Sequence, residues 1–153
     1  MIHYWQVGKP FKELAVLEDD YIKRLKAFIK FDYFSLQASK NSGPVEWIQR
    51  KESELILNKL KADDYLVLLD EKGTQMNSVQ FAAYLEKLFH QSAKRIIFVS
   101  GGAYGFSEQI RLRSNALLSL SSMTFSHRLI KLIFLEQLYR AMTILHHHPY
   151  HNE

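Results

Sequence analysis

Apolar positions along the chain fall into two rhythms. Ile2–Val7 (IHYWQV) is β-branched and aromatic, the signature of a short strand, and Gly8-Lys9-Pro10 ends it. Residues 11–29 then recur at helical spacing, with Leu14, Leu17, Tyr21, Leu25 and Phe28 on one face. Phe31–Leu36 alternates as a second strand, and residues 37–44 are polar and end in Gly-Pro, a flexible loop. Residues 47–60 make another amphipathic helix carrying Ile48, Leu55, Ile56 and Leu60. Residues 65–69 (YLVLL) and 95–99 (RIIFV) are short continuous apolar runs, as expected of strands buried on both faces of a parallel sheet. Ser78–Phe89 between them predicts a helix capped by Asn77 or Ser78, with Phe81, Leu85, Leu88 and Phe89 inward. Ser107 reads as the N-cap of a short helix holding Ile110 and Leu112, and residues 116–120 as a weaker fifth strand. Strand and helix alternate throughout, which predicts an α/β fold: a mainly parallel five- to six-stranded sheet with helices on both faces. No repeat, linker or low-complexity tract divides the chain, so residues 1–153 are expected to form one domain.

The last part of the chain, residues 117–151, organises the rest. A Ser-rich stretch leads into a long apolar helix that ends on aromatic and histidine residues. Ile130, Ile133, Phe134, Leu138, Ala141 and Leu145 are too many apolar positions for a surface helix with one buried stripe. Either a subunit interface or a central place in the core would absorb them. Glu136 and Arg140 stand four apart on this helix, hence on one face, as a structural ion pair or part of a site.

Composition narrows the chemistry. With 47% hydrophobic and 24% charged residues the chain is globular, and the absence of cysteine excludes disulfides, thiolate catalysis and Cys-based zinc sites. That absence fits a cytoplasmic protein. The N-terminus lacks a basic leader before an apolar core, so no signal peptide is expected. The longest apolar stretch, residues 129–135, is interrupted by Lys131 and is too short to span a membrane. Net charge is +4, and residues 107–151 hold five Lys/Arg against two Glu, a mild basic bias compatible with RNA.

Ligands of open parallel sheets bind beyond the carboxyl ends of the strands. Three such loops have suggestive content: Asp70-Glu71-Lys72-Gly73, Ser100-Gly101-Gly102-Ala103-Tyr104-Gly105, and Ser121-Ser122-Met123-Thr124-Phe125. The second is neither a dinucleotide fingerprint nor a P-loop. Together they point to a nucleotide-sized pocket, or the glycines simply make a tight strand-to-helix turn. His146, His147 and His148 are consecutive and have no neighbouring carboxylate, so a solvated tail is expected and no metal site. His127, just after the Ser/Thr loop, is a neighbour of the helix start or a site residue.

Taken together, LLDEKG, FVSGGAYGF, LSLSSMTFSHRLIKLIFLEQLYRA and the closing HPYH resemble the RlmH family over the whole chain. These SPOUT-class enzymes use S-adenosylmethionine to methylate N3 of a pseudouridine in 23S ribosomal RNA. The resemblance implies a C-terminal deep trefoil knot and a homodimer acting on the large subunit or assembled ribosome, with no DNA or membrane partner. It implies cofactor contacts, largely through backbone groups, at Leu69, Gly101, Leu120, Ser121, Ser122, Met123, Thr124 and Phe125. Around the substrate base it implies His127, Glu136, Arg140, Tyr150 and His151. In that scheme His151, or else His127, takes the N3 proton. Arg140 stabilises the developing charge, Glu136 orients it, and Tyr150 stacks on the base. Two departures stand out: Ser100 replaces an apolar residue before Gly-Gly, and Asn152-Glu153 replaces a basic end. Two other functions fit the residues: a non-catalytic RNA- or ribosome-binding module on this fold, or a methyltransferase of another RNA site.

Overall fold

The computed structural model describes residues 1–37, 42–91 and 93–152. Positions 38–41 of the expected flexible loop, and Glu153 of the departing tail, lie outside the described residues. The elements run β1 (Ile2–Val7), a 3-10 turn (Lys12–Leu14), α1 (Ala15–Phe28), β2 (Phe31–Leu36), α2 (Val45–Leu57), β3 (Asp64–Gln75) and α3 (Ser78–Phe89). They finish with β4 (Arg95–Ser100), α4 (Glu108–Arg113), β5 (Ala116–Ser119) and α5 (His127–Leu145). Five parallel strands lie in the order β2-β1-β4-β3-β5.

Alternation along the strands divides the core in two. Ile2, Tyr4, Val67, Ile96, Phe98 and Leu118 face α1, α3 and α5, while Trp5, Val7, Leu66, Leu68, Ile97 and Val99 face α2 and α4. Both faces of the central strands are therefore covered, which explains why YLVLL and RIIFV are apolar at every position. The long helix α5 lies between α1 and α3 on the first face. Phe134, Leu135, Leu138, Ala141 and Met142 are all buried there, with the Phe134 ring 4.9 Å from Phe98 and 5.0 Å from Tyr4. The surplus of apolar residues on α5 is thus largely absorbed within one chain.

Three expectations need correction. Leu17, expected on the apolar face of its helix, and Phe89, expected inward, are 54% and 39% exposed. The third concerns the end of YLVLL. β3 continues to Gln75 as extended chain, slipping register between Leu69 and Thr74, so that Leu69 and Thr74 both lie opposite Leu118. Asp70–Gly73 is a bulge within a strand, where a polar, glycine-containing tetrapeptide reads as a turn. Gly73 makes the bulge possible: a Cβ there would lie 2.5 Å from the carbonyl carbon of Leu117 and 2.6 Å from the nitrogen of Leu118. Both obstacles are backbone and cannot rotate away. Gly73→Ala is expected to cost roughly 3 kcal/mol, the upper end for an overpacked site. Urea denaturation measures it, and a loss below about 0.5 kcal/mol, the size of an ordinary surface change, would contradict the close approach.

Candidate active site

A cavity of about 600 Å³ opens at the carboxyl ends of β4 and β5, beside the bulge of β3. Its size suits a nucleotide-bearing ligand. The first wall follows β4. Ser100, buried, shares a 2.6 Å hydrogen bond with the hydroxyl of Tyr4, so a polar residue fits where an apolar one would pack. Gly101 meets the ring of Phe106, and Gly102 lies against the carboxylate of Glu52, which a Cβ would approach to 2.5 Å. Burial raises the pKa of Glu52. The α2 helix secures this loop further: Gln49 Nε2 donates to the carbonyl of Tyr104 at 2.7 Å, and the hydroxyls of Ser53 and Ser107 lie 2.5 Å apart.

The second wall follows β5. Ser119 Oγ donates to the carbonyl of Ser121, and Ser121 Oγ accepts from the N–H of Met123, folding the loop back on itself. Thr124 Oγ1 donates to Glu71 Oε2 at 3.0 Å, tying this loop to the β3 bulge. Asp70 accepts two hydrogen bonds from Arg111, at 3.0 and 2.8 Å, and one from the N–H of Lys72. Among the described residues, the N–H groups of Gly102, Thr124 and Phe125 make no protein hydrogen bond, so they are available to a ligand.

Seven of the eight expected cofactor positions line the cavity: Leu69, Gly101, Leu120, Ser121, Met123, Thr124 and Phe125. Ser122 does not; it is exposed at the turn of its loop. The cavity also includes Gln49, Arg111 and Ser126, which sequence reasoning did not single out, together with Asp70 of the first expected loop and Ile130 of the apolar helix. Asp70 and Arg111 were within reach as an acid beside a buried strand and a base in a short helix, yet their pairing needs the fold.

His127 opens α5 at the cavity rim, exposed, its ring edge-on to Phe11 at 5.4 Å. The other four expected substrate residues gather elsewhere. Glu136 Oε1 accepts from Arg140 Nε at 3.0 Å, Arg140 Nη2 at 2.5 Å and the Tyr150 hydroxyl at 3.1 Å. Its other oxygen accepts from Gln137. Arg140 Nη1 lies 3.2 Å from His151 Nδ1, and its guanidinium carbon sits 4.8 Å above the Tyr150 ring. The Glu136 carboxylate raises the pKa of Arg140. Burial and the neighbouring Tyr21 and Glu136 raise that of Tyr150, which stays a neutral phenol.

The histidine tract makes this cluster possible. His147 has a φ of 55°, His148 N–H reaches the carbonyl of Thr143, and His147 N–H reaches that of Ile144. That is a Schellman turn with histidine in the left-handed position usually held by glycine. It folds the tail back along α5, where Tyr150 packs edge-on against Tyr139 at 4.7 Å and meets the Tyr21 hydroxyl at 3.3 Å. Tyr21, assigned from the sequence only to a helix face, is thereby an anchor of the tail. No three potential metal ligands come together among the described residues.

Cavity and tail cluster are not one place in a single chain. Thirteen residues separate His127 from Arg140 on one helix, about 20 Å at the α-helical rise.

Comparisons with known proteins place this arrangement. The family described as "Predicted SPOUT methyltransferase" matches residues 1–151. The protein named ribosomal RNA large subunit methyltransferase H of Parabacteroides distasonis is 50% identical, over 88% of this chain and 87% of its own. Its namesake in Flavobacterium johnsoniae is 48% identical, over 93% and 92%. Among solved structures, a probable methylase family protein from Haemophilus influenzae aligns with a TM-score of 0.52 at 10% identity, covering 95% of this chain and 66% of that one. That likeness concerns the fold alone.

Proposed function

Because the chain belongs to the SPOUT methyltransferase family, we propose that it methylates N3 of a pseudouridine in 23S ribosomal RNA, with S-adenosylmethionine as donor. The relatives' printed name supports large-subunit ribosomal RNA as the substrate. The carrying observation is the cavity, walled by backbone at Gly101, Gly102 and the 119–126 loop, with amide donors that have no partner among the described residues. Those residues fit the cofactor: their amides would hold its polar groups while Leu69, Leu120 and Phe125 enclose its apolar surface. When bound, the cofactor supplies an electrophilic methyl on a sulfonium. The family's trefoil knot would be what brings the β3 and β5 loops together around it.

On this reading Glu136, Arg140, Tyr150 and His151 serve the base, with His127 at the cavity mouth. A neutral imide nitrogen is a poor nucleophile, so N3 must lose its proton, and donors that receive the resulting charge lower the barrier. One chain holds these donors about 20 Å along α5 from the cavity. We therefore propose a homodimer in which the tail of each copy completes the cavity of the other. Val16 and Leu17 on α1 and Leu129 on α5 support it: they are 83%, 54% and 43% exposed at the same end of two parallel helices, beside the cavity mouth. An apolar surface of this kind is where a second copy would dock. So small a chain has little surface for reading RNA sequence, which favours an assembled ribosomal subunit in the cytoplasm as the target. No described helix is long and apolar enough to cross a membrane.

Tritiated methyl transfer to ribosomes, with nucleoside mass spectrometry of the product, tests the proposal. Label is expected as 3-methylpseudouridine, and only on ribosomes that contain pseudouridine. Equal labelling without pseudouridine would redirect the activity to another RNA site. Absence of any saturable S-adenosylmethionine binding by calorimetry would favour a non-catalytic RNA-binding module.

A further inference from the structure

We propose that His151 serves the reaction as a neutral hydrogen-bond donor through Nε2–H, and not as the base that takes the N3 proton; this rests on the methyl-transfer reading above. The sequence expectation made His151 the first candidate base, and the hydrogen bonding around Arg140 argues otherwise. A guanidinium has five N–H donors and no acceptor, and it does not deprotonate in proteins. Its contact with His151 Nδ1, 3.2 Å from Nη1, therefore needs a lone pair on Nδ1. A proton on Nδ1 would set N–H against N–H and, in the imidazolium, cation against cation. The neutral ring then carries its single proton on Nε2.

Arg140 is not free to turn away. Its Nε and Nη2 both donate to Glu136 Oε1, which also accepts from the Tyr150 hydroxyl. Glu136 Oε2 accepts from Gln137, so both oxygens of Glu136 are engaged. Tyr150, the residue before His151, is held by the Glu136, Tyr21 and Tyr139 contacts. The two partners of the Arg140–His151 contact are fixed from opposite sides. With Nδ1 occupied and Nε2 protonated, the ring has no lone pair to offer a substrate proton.

A donor suits the chemistry. Losing its proton turns the imide into an anion whose charge rests on the two carbonyl oxygens flanking N3. His151 Nε2–H and the remaining N–H groups of Arg140 are two adjacent donors for such oxygens. The N3 proton passes to solvent water. The N3 electron pair forms the new N–CH3 bond, and the pair of the broken C–S bond stays on sulfur as a neutral thioether. The cluster lowers the cost of the anion and never holds the proton.

His151→Gln separates the two roles. Its terminal amide presents an N–H near the position of Nε2 but cannot act as a base. In the ribosome methylation assay His151→Gln is expected to stay within about tenfold of the unaltered protein, while His151→Ala falls about a hundredfold, the usual effect of removing one charge-stabilising donor. Nitrogen-15 spectra of histidine-labelled protein should show His151 protonated on Nε2 and not on Nδ1. A glutamine variant as inactive as the alanine variant, with cofactor binding intact, would overturn the donor role, as would an Nδ1–H tautomer. If the unaltered protein labels no pseudouridine, the methyl-transfer reading itself fails; the nitrogen spectra report on the tautomer independently of that result.

Discussion

Arg140→Ala is expected to lose methyl transfer by about a thousandfold while binding S-adenosylmethionine as the unaltered protein does. Arg140 is the hub of the tail cluster: it touches Glu136, His151 and the Tyr150 ring at once. Truncating it removes a charged donor and releases His151, so the loss should reach the upper end for a single charge-stabilising group. It lines no part of its own chain's cavity, and on the dimer proposal it faces the substrate base rather than the cofactor, so calorimetric affinity for the cofactor should not move. The dimer proposal adds a sharper outcome. Thr124→Trp, a substitution at an exposed residue of the cavity wall, should block cofactor binding and be inactive alone. After subunit exchange with Arg140→Ala, half the dimers carry one cavity and one tail that are both intact and opposed, and about a quarter of full activity should return. A mixture that stays inactive after exchange would place cavity and tail in the same chain.

The sequence made the sheet legible because its central strands are covered on both faces and announce themselves as apolar runs. Helix ends with local hydrogen bonding were legible too: Asn77 and Gln80 form the reciprocal capping box that their spacing allows. What failed was chemistry that depends on another strand. Asp70–Gly73 has the composition of a turn and becomes a bulge only because β5 passes within a Cβ's width of Gly73. At the site, the i, i+4 spacing of Glu136 and Arg140 announced a pair. Nothing local announced that Tyr21, on α1, would meet Tyr150 after a histidine turn. The loops around the cavity were recognisable through the resemblance of their motifs, since glycines and serines that act through backbone amides carry little side-chain signal. The grouping of His127 with the tail residues came from the resemblance, and within one chain the fold sets them about three and a half helical turns apart.

Lys131 gives the second large effect, because it reads in the sequence as an interruption of an apolar run and is in fact buried. Its ammonium lies 2.6 Å from Glu18 and 3.7 Å above the centre of the Tyr33 ring, with both charged side chains at or below 5% exposure. Two charges removed from water in this way are tolerable only together. Glu18→Gln should therefore cost about 3–5 kcal/mol, the range for leaving one member of a buried pair without its counter-charge. The paired replacement Glu18→Leu with Lys131→Met removes both desolvation costs and keeps an apolar fill, so it should fall within about 1 kcal/mol of the unaltered protein, as volume-matched apolar replacements of buried ion pairs do. Urea denaturation of the single and double variants gives the comparison, with the slope of the transition checking that the unfolded states are alike. A single variant losing less than about 1 kcal/mol, typical of exposed pairs, would mean that water reaches Lys131. The pair also joins α1 to the first turns of α5, just beyond His127 and Ile130 at the cavity. If the double variant keeps its stability and its methyl transfer, the pair is a tolerated charge in the core; if stability holds and transfer falls, the pair fixes the angle at which α5 leaves the cavity.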